Sequence, residues 1–115
     1  MNIYIHVKNY ISPKHLPLFD DWFSRLENLV RSHDGFVGLI NEKAFDANDN
    51  LTAYMKLIFA SEEQLDVFRN NPMHDIMLEE LDNYRSYNYW DVCVTDDAAV
   101  GQASADYNRI VIGGE

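Results

Sequence analysis

The chain has 115 residues, 47% of them hydrophobic and 13% aromatic, which describes one globular domain rather than a disordered segment. Nine basic residues stand against nineteen acidic ones, a net charge of −10, and the basic ones are scattered singly. That argues against nucleic acid or an anionic membrane surface as a partner. The single cysteine, Cys93, rules out a disulfide within the chain, and no apolar run approaches the ~20 residues of a membrane helix, so the expected location is cytoplasmic.

The opening stretch "MNIYIHVKNYI" alternates apolar and polar, unlike the continuous apolar core of a signal peptide. Ile3, Ile5, Val7 and Ile11 fall on one face, and Tyr4, His6, Lys8 and Tyr10 on the other, which is a half-buried strand. Ser12-Pro13 then reads as a helix start, a capping hydroxyl followed by a ring-locked first position. Leu16, Phe19, Trp22, Phe23, Leu26, Leu29 and Val30 follow at helical spacing in one wide apolar stripe, ending near "HDG".

"GFVGLINEKAF" (35–45) and "LTAYMKLIF" (51–59) read as strands, joined into a hairpin by the turn residues "DANDN". Ser61 with Gln64 is a capping box opening a second helix. Asn71-Pro72 breaks that helix, because a residue before proline avoids helical geometry. A second segment starts at Pro72, with Met73, Ile76, Met77 and Leu81 expected inward, and "YRSYNYWDVCV" (84–94) is the fourth strand.

The order βαββαβ predicts an α+β fold: a ferredoxin-like, four-stranded antiparallel sheet with the helices on one face. Residues 1–95 make the domain. Residues 96–115 make a C-terminal extension, in which Ile110, Val111 and Ile112 are expected to add a short strand against a partner subunit. The uncovered face would carry Tyr4, His6, Lys8 and Tyr10 beside Tyr54, Lys56 and Ile58. Large aromatics of this kind suit an interface, so a homodimer through the sheet face is expected.

Two stretches carry a resemblance. "RSHDGFVGL" (31–39) resembles the helix-end, Gly-Phe, strand signature of the antibiotic biosynthesis monooxygenase domains, and "FASEEQLDVFRNNPMHDIM" resembles their second-helix segment. The similarity spans residues 2–94. It implies a dimeric α+β barrel and a choice among several activities, cofactor-free oxygenation of quinol-like aromatics foremost. The tryptophan that often precedes the Ser-x-Glu stretch in that family is Phe59 here. The positions at which the haem-degrading branch carries Asn, Trp and His correspond to Val7, Phe68 and Leu78, which argues against haem degradation.

Four histidines are present. His74 has two readings: a proton donor or hydrogen-bonding group at the mouth of a pocket between helices and sheet, or a first-turn histidine bonded to backbone. His33, near a helix C-terminus, reads as a capping cation, His15 as exposed and His6 as an interface residue. Trp22, Phe23, Phe59, Phe68 and Met77 are core residues that would equally suit a flat aromatic ligand, and Trp90, like Tyr54, is core or interface first and pocket lining second. No histidine pair has metal-ligand spacing, and there is no phosphate loop or nucleophile elbow. The expected activity is oxygenation of a small phenol- or quinol-like aromatic, with His74 and Tyr54 as catalytic candidates and no cofactor or metal. The alternative is a dimeric module of the same fold that binds a small apolar molecule, or assembles with partners, without catalysis.

Overall fold

The computed structural model describes residues 1–96. The expected extra strand at 110–112 lies outside the described residues. The elements are β1 (Ile3–Ile11), a single 3-10 turn (Pro13–His15), α1 (Leu16–Arg31), β2 (Phe36–Phe45), β3 (Leu51–Phe59), α2 (Glu62–Arg69), α3 (Pro72–Leu81) and β4 (Arg85–Cys93). All strand pairings are antiparallel, in the order β2-β3-β1-β4. β1 and β3 therefore lie at the centre, and β2 and β4 form the edges. This is the ferredoxin-like α+β arrangement.

Strand pairing fixes the two faces. Ile3, Ile5, Val7 and Ile11 stand opposite Phe59, Leu57, Met55 and Leu51. All but the half-buried Val7 are buried, and they meet Phe19, Trp22, Leu26 and Val30 of α1 and Leu65, Phe68, Met77 and Leu81 of α2 and α3 in one core. Burying such side chains contributes roughly 1.5–3 kcal/mol each before conformational entropy is set against it. The buried Trp22 indole N–H donates to the Met77 carbonyl at 2.7 Å and so ties α1 to α3.

Local chemistry sets the boundaries. Gly35, at φ +86°, turns the chain from α1 into β2. Only glycine suits it twice over: the φ is left-handed, and a Cβ there would collide with the Gln64 side chain. The Gln64 backbone N–H donates to Ser61 Oγ at 3.2 Å, as the capping pattern predicts. Asn71 caps α3 by accepting from the Met73 N–H at 2.9 Å, and Pro72 takes the first helical position.

Three expectations need correction. Ser12 makes no cap to backbone; its Oγ bonds the His15 ring at 3.1 Å, and a 3-10 turn precedes α1. Met73 and Ile76 are 48% and 57% exposed; the inward stripe of α3 is His74, Met77, Leu78 and Leu81. Both sets have helical spacing, and they differ by one residue of rotation. The His33 ring does not cap α1: the last turn is closed by Ser32 Oγ donating to the Leu29 carbonyl and by the His33 backbone N–H donating to the Val30 carbonyl. The ring Nε2 lies 3.0 Å from Asn71 Nδ2 instead, and Phe68 meets the ring edge-on.

Candidate functional site

Between the helical layer and the β1–β4 half of the sheet lies a cleft of about 240 Å³, lined by Ile5, Val7, Arg69, His74, Leu78, Arg85, Asn88, Trp90 and Val92. Behind it is a chamber of about 70 Å³ reaching Trp22, Leu26 and Phe68. Ile5, Val7, His74, Leu78 and Arg85 line both. The Asn71-Pro72 break builds this geometry. It ends α2 at Arg69 and restarts the chain so that His74, in the first turn of α3, points back over Phe68, with ring centroids 4.7 Å apart.

Burial holds the His74 pKa below its ordinary value, and a hydrogen bond with the Arg69 backbone opposes that only in part. The ring is therefore neutral at neutral pH and can accept a proton, the state a general base requires. Its Nδ1 is buried without a hydrogen-bond partner.

Arg85 enters the cleft through an irregularity of the sheet. Tyr10 pairs with Tyr87, but Ile11 pairs with Arg85, so β4 carries one extra residue there. Strict alternation would put Arg85 on the face of Tyr87; the bulge turns it to the helix side. It is then pinned by Asn9, which accepts from Nη1 at 2.9 Å, and by Asp82, which accepts from Nε at 2.9 Å and from Nη2 at 2.5 Å. The Arg69 guanidinium stacks over the Trp90 ring at 5.4 Å.

The residues singled out in the sequence divide into three groups. His74 and Trp90 line the outer cleft, and Trp22 and Phe68 line the chamber behind it. Phe23, Phe59 and Met77 line neither: Phe59 is fully buried between Phe36 and Phe68, Met77 is buried under Trp22, and Phe23 packs beside Phe19. Tyr54 is on the opposite face of the sheet, paired with Lys8 and bonded to His6 Nδ1 at 2.5 Å, so within one protomer it shares no cavity with His74. Burial pushes its pKa up to about 12, which keeps the hydroxyl protonated. Arg69, Arg85 and Asn88 were not anticipated. Asn88 was accessible from its alternation with Trp90 and Val92; Arg85 was not, because nothing local in the sequence marks the bulge.

The opposite face carries Tyr4, Tyr10, Tyr54, Tyr87 and Tyr89 with no described helix upon it. His6 is fully buried there, stacked between Tyr4 and Tyr54 at 6.3 and 5.9 Å. Burial and then Lys56 lower its pKa.

Neither a family model nor a curated protein sequence matches the chain. Solved structures do. A variant of SnoaB, a cofactor-independent oxygenase from Streptomyces nogalater, superposes with a TM-score of 0.73 at 9% identity over 84% of this chain and 95% of that one. The chain has the fold of the antibiotic biosynthesis monooxygenases. A candidate antibiotic biosynthesis monooxygenase from Caulobacter crescentus matches that monooxygenase fold at TM-score 0.69, 10% identity and 84% and 91% coverage. A conserved protein from Methanosarcina mazei Go1 does so at 0.70, with 15% identity and 81% and 91% coverage. At these identities what is shared is the fold, and the chemistry has to be argued from the cleft. Among the described residues no helix is long and apolar enough to cross a membrane, and no group of three or more His, Cys, Asp or Glu residues is placed to hold a metal ion.

Proposed function

We propose that the chain is a cofactor-independent monooxygenase of small phenol- or quinol-like aromatics, working in the cleft beside His74. One observation carries this reading: a neutral imidazole, depressed in pKa by burial, lines a largely apolar cavity that no acidic side chain among the described residues lines. In the reaction the imidazole takes the hydroxyl proton of the substrate. The resulting anion passes an electron to dioxygen, the two radicals join at a ring carbon, and loss of water from the hydroperoxide leaves a quinone. Overall, phenol and O₂ become quinone and water. Trp90, Val7, Leu78 and Phe68 supply the apolar lining and exclude solvent. The volume is below the roughly 300–1,000 Å³ usual for drug-sized ligands, which favours one or two rings over a large polycycle.

The resemblance aligns Val7, Phe68 and Leu78 with the Asn, Trp and His of haem degraders; all three line the inner chamber and all three are apolar, which supports oxygenation of a free aromatic over haem degradation. Two further parts of the reading are a homodimer through the tyrosine-bearing sheet face and a cytoplasmic location. The aromatic face supports the first, the charge and the lone cysteine the second.

Oxygen uptake with a panel of quinols and anthrones tests the enzyme. Turnover that falls about 10²-fold or more in His74→Ala supports the role given to the imidazole. Uptake unchanged in that variant refutes the role. A second reading, a binding module without catalysis, is favoured by the position of Tyr54, which leaves His74 without a second acid–base group. Thermal stabilisation by quinols with no oxygen uptake would establish it.

A further inference from the structure

We infer that the ligand of this cleft is an aromatic carboxylate, its acid group held between Arg69 and Arg85. The inference rests on reading the cleft as a small-molecule site and adds the ligand's charge. The chain carries 19 acidic residues against 9 basic ones, yet among the described residues the lining of the cleft holds two arginines and neither Asp nor Glu. In so acidic a protein, a concavity of the opposite sign focuses anions.

The two arginines are prepared for different parts of the task. Arg85 is mostly buried, its side chain 13% exposed, and three of its N–H groups are committed to Asp82 and Asn9. A guanidinium has five, so two N–H groups remain, on a fork already fixed in orientation. A fixed planar fork suits a planar carboxylate, since less freedom is lost on binding. Arg69 is held only by the face of Trp90 and makes no ion pair among the described residues.

Charge counting supports a monoanion. Asp82 offsets Arg85, Arg69 is left uncompensated, and the His74 imidazole is neutral. One carboxylate brings the cleft to neutrality, whereas a phosphate dianion would overshoot. The ring of such a ligand would lie on the apolar wall of Val7, Leu78 and Val92 beside Trp90, with the Asn88 amide as a further donor near the acid.

Isothermal titration of the full chain with 2-naphthoate and with its methyl ester separates charge from shape. The expected result is that naphthoate binds at least roughly tenfold tighter than the ester at low salt. High salt should shrink that advantage. Arg69→Gln should abolish it. The salt dependence is read on the unaltered protein, so the test survives a variant that fails to fold. Equal affinity for acid and ester overturns the inference but leaves an aromatic pocket standing. An anion preference that persists in Arg69→Gln places the acid elsewhere and also overturns it. If neither probe binds, the reading of the cleft as a small-molecule site falls, and this inference falls with it.

Discussion

His74 and His6 stand on opposite faces of one sheet and share several properties. Burial lowers the pKa of each, and each leaves one ring nitrogen buried without a partner, Nδ1 of His74 and Nε2 of His6. They differ in what they adjoin. His74 opens onto a cavity lined by two arginines; His6 is closed in by Tyr4 and Tyr54, with Lys56 opposite it on β3 and Asp91 opposite it on β4. Perturbed titration is thus common to a site and to a packed interior. Access to a space that a ligand could fill is what separates them.

Trp22 is the strongest lever on this comparison, because it supports only the His74 side. Trp22→Ala should cost about 3–5 kcal/mol, read as a lowered urea midpoint, since it opens a void under the chamber and frees the Met77 carbonyl. A loss below ~1 kcal/mol would mean the helical layer is not anchored there.

Acid should affect both histidines alike. Each has a folded-state pKa below its ordinary 6.5, so the unfolded chain binds protons more readily. Stability is then full above pH 6.5 and is lost as pH falls from there through the depressed values. Urea midpoints measured from pH 7.5 to 5 should decline, and His6→Gln and His74→Gln should each remove part of the slope. A flat profile would remove the electrostatic half of the comparison.

Tyr54→Phe sharpens it further. The variant strips the hydroxyl bonded to His6 and should cost about 1 kcal/mol of stability with no change in oxygen uptake. Turnover lost in that variant would show that the tyrosine face takes part in the chemistry. The smallest effect is expected at the Arg25–Glu80 pair, where the Arg25 bond and then the Tyr84 hydroxyl hold the Glu80 pKa down to about 2. The pair lies on the surface, so Glu80→Gln should cost no more than ~1 kcal/mol. Any such contribution is present above pH 4.5 and is lost as pH falls through about 2, so an acid titration of that variant checks it.

The layers of the fold were legible because their signals are local. The alternation Ile3-Ile5-Val7, the Ser61–Gln64 cap and the Asn71-Pro72 break each act within a few residues. The cleft was legible only where it coincides with such a signal. His74 stands out beside the proline, and Trp90 by its strand. Arg85 depends on an extra residue in β4 whose cause lies in pairing with β1, and the α3 stripe depends on one step of helical rotation that a ten-residue segment leaves open between Met73 and His74. Tyr54 is a chemical candidate beside His74, yet β3 alternation assigns it to the other face. Strand parity was the better guide.

The cap at Asn71 has a consequence for how this protein can vary. Each helical residue advances the side chain by about 100°, so one residue inserted between that cap and His74 would swing the imidazole out of the cleft and bring its predecessor in. The hairpin tip at 46–50, exposed and remote, carries no such phase requirement. Length changes should therefore be absorbed at the hairpin and rejected at the α2–α3 junction, which sets the chemistry's angular zero.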